Sequence, residues 1–167
     1  MEWYVLFVET GKEEVIQKWL DLYFSKEKLK SFILKKKITE KKQGIIYEKV
    51  RKVFPGYIFL NTEMNEEIYY RIKEIPRYVR VLNFGNYYSK IDHNEINSIL
   101  KLVDDNFLLD YSQIAIKDSK VIVKNGTLKN MEHIIKKVDK RKRRAKIQLE
   151  FMKAPKLIDV GIELIDE

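Results

Sequence analysis

The spacing of apolar residues changes character at Asp104-Asp105-Asn106, and that change constrains the chain more than any single motif does. Upstream, short β-rich runs alternate with stretches whose apolar residues recur every three or four positions, the period of a helix packed on one face. Downstream only alternation survives. Ile114, Ile116, Val121 and Val123 are interleaved with polar residues, and Asn125-Gly126 is a strong tight-turn signal. Ile134–Val138, Ala145–Phe151 and Leu157–Val160 complete a run of about five short strands without a convincing helix, which predicts a small barrel. The expected organisation is an α+β sandwich over 1–105, a short linker over 106–111, and a C-terminal β-barrel over 112–167. Dense β signals in 112–167 predict a constitutive barrel that does not refold to helix.

In the first part, Trp3–Val8 reads as a strand, aromatic and β-branched, ended by Thr10-Gly11. Thr10 followed by Glu13 predicts a capping box. The helix it opens fades by about residue 28. Its predicted inner face carries Val15, Trp19 and Leu22, with Ile16, Leu20 and Tyr23 beside them. Phe32–Ile38 and Ile45–Val50 predict strands around a basic turn, Lys41-Lys42-Gln43-Gly44. Val53–Leu60 joins a Pro-Gly break to a short, dense β run. Ile68, Ile72 and Ile75 predict a second helix from Asn65, stopped by Pro76, and Tyr78–Leu82 reads as a strand. Asp92 caps a third helix reaching Val103, with Ile96, Ile99 and Val103 inward. The order β-α-β-β-β-α-β-α fits a sheet covered by helices on one face.

The chain of 167 residues carries 33 basic and 25 acidic side chains, a net charge of +8. Such an excess favours a polyanionic partner, nucleic acid first. Residues 106–167 hold 14 basic and 9 acidic side chains, against 19 and 16 in 1–105, so the shorter part carries most of the charge. The absence of cysteine excludes a disulfide framework, a thiolate metal site and a cysteine nucleophile. The apolar run at Trp3–Val8 is too short for a membrane span and follows an acid, Glu2, so a cytoplasmic monomer with no membrane partner is expected.

Four segments, WYVLFVETGKEE at 3–14, VFPGYIFL at 53–60, IPRYVRVL at 75–82 and VIVKNGTLKNMEHIIKKVDKRKRRAKIQLEF at 121–151, resemble the NusG family of transcription elongation factors in order and spacing. The resemblance implies an N-terminal NGN domain that binds the clamp helices of RNA polymerase. It also implies a C-terminal KOW barrel for other partners, a ribosomal protein or a termination factor among them. KRKRRAK at 140–146, Glu150-Phe151-Met152 and the short linker are most similar to the LoaP branch of specialised antiterminators. Those proteins read a hairpin in the nascent RNA and let polymerase pass terminators. Two departures stand out. The family's Gly-Pro-Phe in the KOW turn is Gly126-Thr127-Leu128 here, and His133 occupies a position that is usually glycine.

Alternation places Tyr57 and Phe59 on one face of their strand and Ile58 and Leu60 on the other. If the isoleucine and leucine meet the helices, Tyr57 and Phe59 lie on the open face, joined by Phe7 and flanked by Phe54. These aromatics are either ordinary core or, as the resemblance implies, the polymerase-binding patch. Lys136–Lys146 holds eight basic residues and one acid, Asp139. Such a run is either a solvated turn or a nucleic-acid surface. Ala145, Ile147 and Leu149 would face the core, leaving Arg144, Lys146 and Gln148 outward. Four charges crowd the tip at Lys140, Arg141, Lys142 and Arg143. With Lys136, Lys137, Arg144 and Lys146, and with Lys124 and Lys129 beside the Asn125-Gly126 turn, they form the expected RNA-binding set. Arginine forks suit phosphate and guanine edges. Lys12 and Lys18 occupy the neighbourhood where, as the resemblance implies, the family touches non-template DNA, though ordinary solvated lysines explain them better. Lys35–Lys42 reads as a mobile basic hairpin without a role.

Catalysis finds little support, and no cofactor is expected. His93 and His133 fall in different expected domains, no glycine-rich phosphate cradle occurs, and Asp104-Asp105 is an isolated acid pair. A metal-dependent nuclease would need several convergent carboxylates. A general NusG-type factor acting through protein partners is the nearer alternative. A ribosomal-type KOW RNA-binding protein is another, and it leaves 1–105 unexplained.

Overall fold

The computed structural model describes residues 1–75 and 88–165. It resolves into two compact units: Met1–Leu34 with Phe54–His93, and Lys35–Val53 with Asn94–Glu167. This division differs from the expected break at 105. The segment 35–53 leaves the N-terminal unit and joins the C-terminal one, and so do residues 94–105.

In the first unit, β1 (Glu2–Phe7), β2 (Leu29–Phe32), β5 (Tyr57–Thr62) and β6 (Tyr88–Lys90) form a four-stranded sheet in the order β2-β5-β1-β6. β1 and β5 run antiparallel with Leu6 opposite Ile58 and Val5 opposite Phe59. Leu6, Val8, Ile58 and Leu60 point to one face, against Ile16 and Leu20 of α1 (Glu13–Tyr23) and Ile68 and Ile72 of α2 (Glu66–Lys73). The period-2 pattern of the strands thus meets the period-4 pattern of the helices in one apolar layer. Asn65 caps α2, its side chain accepting from the Ile68 amide at 2.9 Å. The stop at Pro76 and the strand expected over Tyr78–Leu82 lie outside the described residues.

Two local expectations for α1 are corrected. The N-cap is Lys12, with no side-chain cap, so the Thr10–Glu13 box does not form. The Glu13 carboxylate is fully buried and accepts from the Gly11 amide at 3.0 Å and the Gly56 amide at 2.9 Å. It pins the Pro55-Gly56 turn to the start of the helix. The buried stripe is Ile16 and Leu20, while Val15 and Leu22 are exposed, Leu22 by 77%. The helix ends at Tyr23, before the fading point the sequence suggested.

In the second unit, β3 (Lys35–Lys42) and β4 (Ile45–Lys52) form an antiparallel hairpin around Gln43-Gly44, both with positive φ. That is the geometry of a two-residue turn with the twist a hairpin needs. β7 (Leu108–Leu109) adds in parallel to β3. The expected linker at 106–111 therefore carries a strand, and Asp110 lies 3.7 Å from Lys37. α3 (His93–Leu100) buries Ile96 and Ile99 as expected, but Leu102 replaces Val103 as the inward residue after it.

The rest of the unit is a half-barrel of five strands: β8 (Ser112–Lys117), β9 (Lys120–Asn125), β10 (Ile135–Asp139), β11 (Arg144–Phe151) and β12 (Ala154–Leu164), in the order β10-β11-β12-β8-β9. The chain turns between β8 and β9 at Asp118-Ser119, both left-handed, and not at Asn125-Gly126. Gly126 instead ends β9 against Ser112, where a Cβ would stand 2.5 Å from the serine Oγ. β12 pairs with β11 as far as Gly161 and then runs parallel to β8 from Ile162. Among the described residues β9 and β10 share no ladder. Glu132, in the 3₁₀ turn between them, accepts from the Val123 amide at 3.2 Å. Ala145, Ile147 and Leu149 are buried along β11, as the alternation predicted, and Phe151 continues the same face.

Candidate nucleic-acid interface

Charge separates the two units. The second holds 23 basic and 14 acidic residues, a net of +9, whereas the first holds 10 and 11. The segment 35–53 contributes eight basic residues against two acids. The excess the sequence placed in its C-terminal third is thus larger and belongs to a unit that includes the inserted hairpin.

Within this unit the β3–β4 hairpin docks on the half-barrel beside the β10–β11 turn. Arg144 donates from Nη2 to the Thr39 carbonyl at 3.0 Å, and Lys36 donates from Nζ to the Asp159 carbonyl at 2.6 Å. The Thr39 hydroxyl reaches the Lys142 carbonyl at 3.4 Å. Burial holds the Lys36 ammonium below its ordinary pKa, with the nearby Arg144 acting in the same direction and Asp159 opposing. Gly161 permits the close approach, since a Cβ there would meet the Lys37 carbonyl at 2.5 Å and the Tyr111 ring.

Between the two hairpins lies a cleft of about 730 Å³. Thr39, Glu40, Lys41 and Ile46 line one wall; Asp139 and the run Arg141, Lys142, Arg143 and Arg144 line the other. Both acids are already engaged. Glu40 receives a two-pronged contact from Arg51, at 2.9 Å on each oxygen, and that contact holds its carboxyl below the usual range. Asp139 accepts from the Lys142 amide at 3.0 Å, which depresses its pKa and fixes the tip turn, where Arg143 takes φ 55°. Among the described residues, Lys41, Arg141 and Arg143 have no acid within ion-pair distance. Cations gathered around one cleft raise the local potential and attract an anion.

A smaller cavity of about 150 Å³ continues along the sheet, lined by Lys137, Lys142, Lys146 and Asp159 among others. Lys146 lies 3.3 Å from the Asp159 carboxylate. Eight cations of one segment are therefore not equivalent. Arg141, Lys142 and Arg143 face the cleft. Arg144 is partly buried and holds the inserted hairpin. Lys137 and Lys146 sit in the smaller cavity, Lys136 donates to the His133 carbonyl, and Lys140 is exposed at the tip. Lys124 and Lys129 are exposed on and after β9, at the opposite end of the strand order, and line neither cavity. Sequence reasoning gave the basic hairpin at 35–42 no role and so left out Thr39 and Lys41, and it read Ile46 only as part of a strand. The charge balance of 35–53 was the signal that could have found them.

In the first unit, the expected aromatic patch is real as a cluster but differs in exposure. Phe59 stacks on Phe32 with centroids 4.9 Å apart, and Phe7 meets Tyr57 edge-on at 5.1 Å. Phe7 and Phe59 are fully buried, whereas Phe54 and Tyr57 are partly exposed. The open-face position expected for Phe7 and Phe59 is corrected accordingly. Lys12 is half-buried at the start of α1 and Lys18 is exposed on it. Asp104 is occupied locally, accepting from the Asn106 and Leu108 amides at 2.8 and 3.0 Å. Among the described residues no group of three or more histidines or carboxylates converges on a metal position. No helix there is long and apolar enough to cross a membrane.

Residues 1–100 match the family model for NusG, described as a transcription termination factor. A curated relative, the transcription termination/antitermination protein NusG of Haemophilus influenzae, is 29% identical over 80 residues. That match covers 45% of this chain and only 43% of the relative. Among solved structures, one on domain interaction in Thermotoga maritima NusG is similar at 16% identity with a TM-score of 0.47, covering 96% of this chain and 93% of that one. An MjSpt4:Spt5 complex gives 16% identity and a TM-score of 0.35 over 93% and 91%. Both structural likenesses are too distant to carry an argument, and the assignment rests on the sequence match across more than half of the chain. The chain belongs to the NusG family of transcription factors.

Proposed function

We propose that this protein is a transcription elongation and antitermination factor that docks on RNA polymerase through its first unit and grips a hairpin of the nascent RNA through its second. One observation carries the RNA half of this reading: the cleft lined by Lys41, Arg141, Lys142 and Arg143, in the unit that holds all of the net positive charge. Phosphate contacts supply affinity, and two arginine forks on a turn fixed by Asp139 supply directional contacts to base edges. Family membership supports the polymerase half. There the rim formed by Phe54 and Tyr57 offers apolar surface for the clamp helices, over a floor of Phe7 and Phe59. The likeness of KRKRRAK at 140–146 to the LoaP branch favours a specialised antiterminator over the general factor.

The test is a polarisation titration of the whole protein against a structured RNA hairpin and a scrambled RNA of equal length, at several salt concentrations. Affinity is expected to fall by about 0.7–0.9 log units per log unit of salt for each phosphate neutralised. Changing Arg141 and Arg143 to lysine keeps the charge and loses the forks, so it should weaken the hairpin more than the scrambled RNA. A wild-type protein that binds neither RNA, yet co-purifies with polymerase, would support a general factor working through protein contacts.

A further inference from the structure

The cleft has two walls of different chemistry. The tip wall is cationic. The inserted wall ends in β4, the edge strand of its sheet, which exposes Ile45, Ile46, Tyr47 and Val50, each by 42% to 55%, within six residues. Ile46 lines the cleft directly beside its cross-strand neighbour Lys41. Tyr47 carries the Lys49 ammonium 5.8 Å from its ring centre. A solvated basic hairpin has no use for four exposed large apolar side chains, and an uninterrupted double helix offers a groove wall mainly phosphates and hydroxyls. Unpaired bases offer flat apolar faces, and their phosphates remain beside them.

We infer that the β3–β4 hairpin is the second jaw of the nucleic-acid site, and that it selects RNA in which unpaired bases adjoin a duplex. In this arrangement Lys142 holds the duplex backbone, with Arg141 and Arg143 beside it making the directional contacts proposed above. Lys41 neutralises a phosphate at the junction and Ile46 takes the face of a base splayed into the cleft, while Tyr47, on the other face of β4, takes a base passing over the exposed edge strand. The jaw is held in register before binding, because Arg144, Lys36 and Thr39 tie it to the half-barrel. The inference rests on the RNA reading above, and the experiment separates the two.

Wild type, Ile46→Ser/Tyr47→Ser and Lys41→Gln are titrated against two RNAs of the same stem, one closed by an unpaired loop and one a blunt duplex. All the changed side chains are surface groups, and circular dichroism with a thermal melt checks that each variant is folded. The serine pair should lose about tenfold in affinity for the looped RNA, the size of one base stack, and bind the blunt duplex as wild type does. Lys41→Gln should weaken both RNAs and reduce the salt slope by about 0.7–0.9, one phosphate. Unchanged binding of the looped RNA by the serine pair would overturn the second jaw while leaving the RNA reading intact. Equal losses on both RNAs by the serine pair would overturn the selection of unpaired bases. Loss of polymerase co-purification with unchanged RNA binding would assign β4 to a protein partner and also overturn the inference. A wild type that binds neither RNA fails the underlying reading itself.

Discussion

Arg144 and Thr39 are 105 residues apart in sequence, yet the arginine Nη2 donates to the threonine carbonyl at 3.0 Å. Through this bond the inserted hairpin becomes a wall of the half-barrel's cleft. Arg144→Gln should lower the unfolding free energy by about 1–3 kcal/mol, the range for losing a charge-assisted bond to a partly buried acceptor. Urea denaturation measures this. RNA affinity should fall for the looped substrate as well, because one wall is released. A variant with unchanged stability would mean that the arginine acts on ligand alone.

Gly161 sits where β12 leaves β11 and joins β8, with the Lys37 carbonyl and the Tyr111 ring against it. Gly161→Ala places a methyl group into backbone that cannot rotate away. It should cost about 1–3 kcal/mol by overpacking and push the β3–β4 hairpin off the half-barrel. Faster amide exchange over 35–42 would report the displacement. Protection equal to wild type would show that the contact yields at no cost.

Phe59 and Tyr57 are two residues apart on one strand face but should behave differently. Phe59→Ala empties a buried position stacked on Phe32, and should destabilise by about 3–5 kcal/mol. Tyr57→Ser changes a half-exposed rim residue, and should leave the melt near wild type while reducing co-purification with polymerase. If both variants unfold the protein, the aromatic cluster is core throughout and the docking rim lies elsewhere.

Burial, with Glu48 as the next cause, pushes the Tyr111 phenol up to about 12 from its ordinary 10.0. A raised pKa in the folded state means that folding favours the neutral phenol. Its contribution is therefore complete below pH 10 and is lost as pH rises through about 12. In an absorbance titration near 295 nm, the step missing from Tyr111→Phe should lie close to pH 12. Tyr111→Phe should also lose less stability than wild type between pH 10 and 12. A missing step near pH 10 would place the phenol in water.

The sequence by itself determined the local features of this protein. Alternation along β11 predicted that Ala145, Ile147 and Leu149 turn inward, and the spacing of Ile68 and Ile72 predicted the buried stripe of α2. Both follow from the fixed periods of strand and helix, which need no knowledge of the rest of the chain. Where a short-range rule competed with a long-range partner, the partner won. Glu13 left its capping box for the Gly56 amide, 43 residues away. Asn125-Gly126 does open a turn, the Gly126 carbonyl accepting from the Lys129 amide at 3.2 Å, but that turn leads to no hairpin and its close approach is to Ser112. The membership of the cleft was decided only in three dimensions. Nothing local to 35–52 says that it packs on β12 rather than on the strands that flank it in sequence. That choice depends on a glycine at 161, a carbonyl at 159 and an arginine at 144, each more than 90 residues downstream. Charge was legible as a total, but its gathering around one cleft follows from which backbones approach closely enough to share hydrogen bonds, and only the tertiary structure sets that distance.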